Sequence, residues 1–146
     1  MDKYTTVFIA DNGEEFCTEL TAALQRAGGF QVVGCAGDGE QALHAIAECK
    51  PQILVLDLML AKKDGISILK ALNTMDRRPI TLATSGFITE YVASAAANLG
   101  ARYLMLKPCD MEALVERLEE IRGAAQRPGA PKRGDKAGIE TMVTGI

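Results

Sequence analysis

Ile53-Leu54-Val55-Leu56-Asp57 decides the fold. Four consecutive apolar residues read as a strand covered on both faces, the pattern of an interior strand in a parallel sheet. The strand then ends on a carboxylate, at the C-terminal tip where open α/β sheets bind their ligands. Two further runs end in the same way. Val7-Phe8-Ile9-Ala10 leads into Asp11, and Tyr103-Leu104-Met105-Leu106 leads into Lys107-Pro108. Two acids and a lysine, each at its own strand tip, define a candidate site.

Between these strands the apolar spacing changes to that of helices. Residues 5–10 are predicted to form the first strand and 14–27 a helix with Phe16, Leu20, Ala23 and Leu24 on one face, ended by Gly28-Gly29. Residues 31–36 form the second strand. Asp38 then has the spacing of a helix N-cap, with Gln41 three residues on, and that helix runs to about Cys49, where Pro51 blocks it. After the strand 53–57, Gly65 supplies a tight turn into a helix over 66–75 with Ile68, Leu69 and Leu72 facing inward. Residues 80–84 form the fourth strand, 89–99 an alanine-rich helix ended by Gly100, and 103–106 the fifth strand. Asp110 caps a last amphipathic helix carrying Leu114, Leu118 and Ile121. Five strand–helix alternations imply a parallel sheet with right-handed crossovers, two helices on one face and three on the other. The expected α/β fold is therefore a flavodoxin-like (βα)5 sheet of order 2-1-3-4-5. Its switch point falls between strands 1 and 3, which carry Asp11 and Asp57.

The chain has 146 residues, 48% hydrophobic and 24% charged, which suits one globular domain with a short appendage. A net charge of −3 argues against a free-standing nucleic-acid-binding domain, whose surface would be basic. Cys17, Cys35, Cys49 and Cys109 show no CxxC spacing, and His44 is the only histidine. They read as buried or half-buried free thiols of a reducing compartment rather than disulfides or metal ligands. The six methionines read as core filler. The N-terminus enters a strand almost at once, and no apolar run is long enough to span a bilayer, so a cytoplasmic location is expected. After Gly123 the composition shifts. Residues 124–138 read as a flexible linker spanning roughly 20 Å on average, and 139–146 as a helical turn that opens a second, DNA-binding domain not included in this chain.

An aspartate that accepts a phosphoryl group must be exposed, must face a cation that offsets the incoming charge, and needs donors aimed at the phosphoryl oxygens. Asp57 at its strand tip suits that role. Magnesium takes oxygen ligands and commonly binds through one or two carboxylates plus the phosphate, so Asp11, Asp57 and the main-chain carbonyl of Met59 are its candidate ligands. Lys107 would place its ammonium against the phosphoryl group or the Asp57 carboxylate, an attraction of about 4 kcal/mol at roughly 4 Å and an effective dielectric near 20. Thr84 ends strand 4 with a hydroxyl donor, and Ser85 is a partial substitute.

The ordered set Ile9-Ala10-Asp11, Val55-Leu56-Asp57, Asp64-Gly65, Leu82-Ala83-Thr84-Ser85 and Leu106-Lys107-Pro108 resembles the receiver domain of two-component and phosphorelay response regulators. The resemblance covers residues 3–123. It implies that Asp57 is the phosphoacceptor, Asp11 an acid of the Mg2+ site, Thr84 a switch hydroxyl, Lys107 the lysine that senses the phosphoryl group, and Lys107-Pro108 a cis peptide. It also implies a histidine phosphotransferase or sensor histidine kinase as donor, a self-dimer on phosphorylation, DNA contact only through a further domain, and no membrane. Such a chain is a self-catalysed phosphoryl acceptor rather than a turnover enzyme. Within the family, Val7-Phe8-Ile9-Ala10-Asp11, Gly37-Asp38-Gly39, Asn98-Leu99-Gly100-Ala101 and Lys107-Pro108-Cys109-Asp110-Met111-Glu112 are similar to sporulation response regulators. Gly138-Ile139-Glu140-Thr141 looks like the lead-in to their DNA-binding domain.

Three positions depart from the family pattern. Asn12 stands where a second acid is usual; its amide oxygen can still serve the metal, so a working but weaker Mg2+ site is expected. Ala61 replaces a proline common after the acceptor. Leu104 occupies the aromatic switch position, and strand alternation turns Tyr103 to the other face. Output is then expected to rely on backbone movement over residues 84–88. These departures define the alternative, a pseudo-receiver acting as a phosphorylation-independent interaction module. An aspartyl-phosphate phosphatase is disfavoured because Met59 stands where its second aspartate is needed. A nucleotide or flavin binder is disfavoured because residues 11–15 are acidic rather than a phosphate-cradling loop.

Overall fold

The computed structural model describes residues 4–125 and 140–142. Strands β1 (Thr5–Ala10), β2 (Phe30–Ala36), β3 (Ile53–Asp57), β4 (Ile80–Ser85), β5 (Tyr103–Leu106) and β6 (Glu140–Met142) alternate with helices α1 (Glu14–Ala27), α2 (Gly39–Cys49), α3 (Gly65–Leu72), α4 (Glu90–Asn98) and α5 (Met111–Ala125), β6 following α5. The sheet order is β2-β1-β3-β4-β5-β6 and every pairing is parallel. The five-stranded order expected from the sequence, 2-1-3-4-5, is present with its flanking helices.

Two details differ from expectation beyond β5. Ala124 and Ala125 continue α5 rather than starting a linker, and Glu140–Met142 lies parallel to β5 as a strand rather than forming a helical turn. Pairing with β5 satisfies backbone groups that an edge strand leaves open, a gain three residues cannot obtain from an isolated turn. The rest of the expected linker, and 139–146 apart from those three residues, lie outside the described residues.

Alternation along β3 explains its unbroken apolar run. Leu54 and Leu56 join a core with Phe8, Leu104, Ile46 and Leu69, on the face covered by α2, α3 and α4. Ile53 and Val55 point the other way, into a core with Ile9, Leu20, Leu24, Leu114 and Leu118 under α1 and α5. All four apolar side chains of β3 are buried, each contributing about 1.5–3 kcal/mol through removal of apolar surface from water. Helices α2, α3 and α4 start on side-chain caps. Asp38 accepts from Gln41 N at 2.9 Å, Asp64 from Ser67 N at 2.8 Å and Thr89 from Val92 N at 3.1 Å. α3 ends at Leu72 rather than Met75 because the amides of Asn73, Thr74 and Met75 bond back to Lys70, Ala71 and Leu72, tightening the last turn.

One close approach positions the loop that follows Asp57. Gly39 N donates to Ala61 O at 3.0 Å, and a Cβ on Gly39 would lie 1.6 Å from the Lys63 carbonyl oxygen. Backbone meets backbone there, so a side chain cannot be absorbed by a rotamer change. Gly39→Ala is expected to destabilise the chain by about 2–3 kcal/mol, the scale of overpacking. Urea denaturation measures it, and a midpoint within error of the parent would contradict this packing.

Candidate functional site

Parallel register brings the site together. β3 and β4 align Asp57 with Thr84, β1 and β3 align Ala10 with Leu56, and β4 and β5 align Ser85 with Leu106. Asp11 and Lys107, one residue beyond Ala10 and Leu106, therefore emerge at the same C-terminal edge as Asp57. The Lys107 ammonium reaches both acids, 2.5 Å from Asp11 Oδ2 and 3.4 Å from Asp57 Oδ2. The other oxygen of each acid is held by backbone two residues on: Gly13 N donates to Asp11 Oδ1 at 2.8 Å, and Met59 N to Asp57 Oδ1 at 2.9 Å. These two turns aim both Oδ2 atoms at a single position, now held by the ammonium.

The acids are recessed, not solvated. Asp11 is 4% exposed and Asp57 6%, against the expectation of an exposed acceptor. Asp57 lies in the middle of the sheet, and Leu58 N donates to Thr84 O at 2.9 Å, drawing the following loop across β4. Burial alone would pull the Lys107 ammonium down, but its hydrogen bond to Asp11 and the charge of Asp57 outweigh it, and its pKa stands above the ordinary lysine value. The lysine also sits 4.5 Å from the centre of the Phe16 ring, a cation–π contact. Phe16 looked like one more residue of the α1 core face. Nothing in its local sequence marks it as Lys107's support, because the partners meet only after α1 packs beside β5.

Thr84 is fully buried, and its Oγ1 has no hydrogen-bond partner among the described residues. Burying an unpaired hydroxyl costs about 1–3 kcal/mol. Thr84→Val, which keeps the shape and removes that hydroxyl, is therefore expected to leave the metal-free chain unchanged or to stabilise it by about 1 kcal/mol. Thermal unfolding checks this, and a loss above about 1 kcal/mol would mean the hydroxyl is engaged. Ser85 is no substitute, since its hydroxyl donates to Phe87 O at 2.6 Å.

The remaining positions fall around this centre. Asn12 is exposed at the rim beside Asp11. Met59 is 56% exposed, so this methionine is surface rather than core filler, and its backbone already touches Asp57. The Ala61 carbonyl accepts from both Gly39 N and Lys63 N, joining the loop after Asp57 to the start of α2. Leu104 is buried under α2, α3 and α4, whereas Tyr103 faces α5 and donates its hydroxyl to Glu120 Oε2 at 3.0 Å. The tyrosine is thus on the opposite face from the switch position, as alternation requires. The Lys107-Pro108 peptide is cis.

The donor set suits magnesium. Asp11 Oδ2 and Asp57 Oδ2 converge on one position, held here by the Lys107 ammonium, and a pair of hard carboxylate oxygens is the kind of donor set that takes magnesium. Among the described residues no helix is long and apolar enough to cross a membrane.

Several solved structures share this architecture. The signal receiver domain of the NarL response regulator from Mycobacterium tuberculosis superposes with a TM-score of 0.77 at 24% identity, covering 84% of this chain and 98% of that one. CheY in the CheX–CheY–BeF3–Mg complex from Borrelia burgdorferi gives 0.74 at 24% identity, covering 80% and 88%. The response regulator domain of Thermotoga maritima CheB gives 0.74 at 23% identity, covering 86% and 98%. At these identities the likeness establishes the fold. The family model of the response regulator receiver domain matches residues 7–119, from β1 into α5, and the chain belongs to that family.

Proposed function

We propose that Asp57 accepts a phosphoryl group from a phosphohistidine on a partner protein, either a histidine phosphotransferase or a sensor histidine kinase. The observation that carries this reading is the convergence of Asp11 Oδ2 and Asp57 Oδ2 on the Lys107 ammonium, with the unpartnered Thr84 hydroxyl on the neighbouring strand. An Asp57 carboxylate oxygen attacks phosphorus, the phosphorus–nitrogen bond breaks, and the imidazole leaves with a proton. Asp11, Asn12, Asp57 and the Met59 carbonyl would hold Mg2+, which when bound supplies positive charge against the phosphoryl oxygens. Lys107 moves its charge from the paired carboxylates towards the phosphoryl group, and Thr84 gains the acceptor it now lacks. A structural neighbour, CheY of Borrelia burgdorferi, is seen with BeF3 and Mg in its complex, in keeping with this chemistry.

The output side of the proposal is self-dimerisation and transcriptional control of the sporulation type, with DNA contacted through a further domain. The likeness of four segments to stage 0 sporulation protein A supports it, 107–112 being the longest. With Leu104 at the aromatic position, the signal passes through backbone movement over residues 84–88, where Ser85 already ties to Phe87 O. Intact mass after incubation with a small phosphodonor and Mg2+ tests the first step. One phosphate adduct is expected. Its absence from folded chain would overturn the reading in favour of an interaction module that never takes phosphate.

A further inference from the structure

All four cysteines are free, but they are not equivalent, and two are more open than the sequence suggested: Cys35 and Cys49 are exposed, Cys17 and Cys109 half-buried. Cys17 on α1 and Cys35 on β2 line one open groove of about 830 Å³, together with Asp11, Thr21 and Gln25. The β1–β2 register explains why they meet. Cys35 pairs with Ile9, whose side chain packs under α1, and Cys17 packs against that same cluster. The Cys17 thiol has the Cys35 side chain as a hydrogen-bond partner. The Cys17 thiol also lies 3.8 Å from the Asp11 main-chain carbonyl, to which it donates. Cys49 ends α2 on the opposite face of the sheet, and Cys109 packs beside α5.

We propose that Cys17 and Cys35 are a reversible disulfide-forming pair, a modification site that takes an oxidant of the peroxide class. Exposed Cys35 meets the oxidant first. Its sulfur attacks one peroxide oxygen, an S–O bond forms, the O–O bond breaks, and the other oxygen leaves as water with the thiol proton. Cys35 is then a sulfenic acid. The Cys17 sulfur attacks that sulfur, the S–S bond forms, the S–O bond breaks, and the hydroxyl leaves as water with the Cys17 proton. Two thiols are oxidised by two electrons and one peroxide is reduced to two waters. A small dithiol reverses the step. The bridge would fasten α1 to β2 beside Asp11, and it requires no phosphoryl chemistry.

The test uses the full chain, reduced and then exposed to hydrogen peroxide. Remaining thiols are alkylated and tryptic peptides weighed and fragmented; Arg26 separates Cys17 from Cys35, while Cys35 and Cys49 share the peptide 27–62 because Pro51 protects the Lys50 bond, so fragmentation assigns which of the two is linked and which alkylated. The expected product is a Cys17–Cys35 linked peptide from monomeric chain, lost on dithiothreitol treatment, with Cys49 and Cys109 alkylated. Oxidation should also raise the unfolding temperature of the parent and not of Cys35→Ser, an exposed substitution that leaves packing intact. In Cys17→Ser, Cys35 should instead be trapped by dimedone as the sulfenic acid. Cys17 remaining fully alkylatable while Cys35 and Cys49 oxidise alike would overturn the proposal, as would links found only between chains.

Discussion

Asp57→Asn is expected to remain folded and to take up no phosphate from a small phosphodonor. An amide is no nucleophile towards phosphorus, so uptake should fall by at least about 100-fold, to background. The fold should survive for a reason visible in the site. Asparagine keeps the oxygen that accepts from Met59 N, and Lys107 keeps its pair with Asp11 at 2.5 Å. Removing one of two recessed acids that share one ammonium also removes a like-charge repulsion, so stability should change by no more than about 1 kcal/mol. Intact mass measures uptake and urea denaturation the fold. An adduct that persists in Asp57→Asn would place the acceptor elsewhere.

Lys107→Met is expected to have the largest effect on stability. It leaves Asp11 and Asp57, 4% and 6% exposed, with no cation between them. Removing one partner of a buried ion pair costs about 3–5 kcal/mol, and the lysine side chain is 23% exposed, so about 2–4 kcal/mol is expected here. Two further readouts separate this cause from lost packing. Added Mg2+ should raise the unfolding temperature of the variant more than that of the parent, because a cation then replaces the missing ammonium. At alkaline pH the order should also change. The folded Lys107 pKa is raised above its ordinary value of 10.5, so its stabilisation is fully present below that value and is lost as pH climbs through the folded one. The parent should lose that part of its stability there, and Lys107→Met, having none to lose, should show a flatter profile. Equal slopes in both would contradict the pairing.

Most of the architecture was legible because its signals are local. The apolar run of β3, the cap at Asp38 and the breaker at Pro51 each report on their own few residues, and α1, α2, β3 and β5 begin and end where the sequence placed them. Boundaries slipped where a competing bond decided them, as at Asn73, or where a segment's partner was remote, as at Glu140–Met142 against β5. The same division holds in the site. The strand-tip positions of Asp11, Asp57 and Lys107 followed from element ends, whereas β4 runs one residue past Thr84, to Ser85. The engagement of Ser85 by Phe87 O, the ring of Phe16 below Lys107 and the recess around Asp57 did not.

By itself the sequence determined a parallel (βα)5 sheet, the residue types at its strand tips, and the departures at Asn12, Ala61 and Leu104. Periodicity, caps and turn residues carry that information without reference to any distant neighbour. Only the tertiary structure decided that both acids turn one oxygen towards the same ammonium, that the Thr84 hydroxyl is buried without a partner among the described residues, and that Cys17 and Cys35 line one groove. Those facts depend on strand register and on which helix covers which face. Both are set by contacts between residues far apart in the chain, to which no local pattern refers.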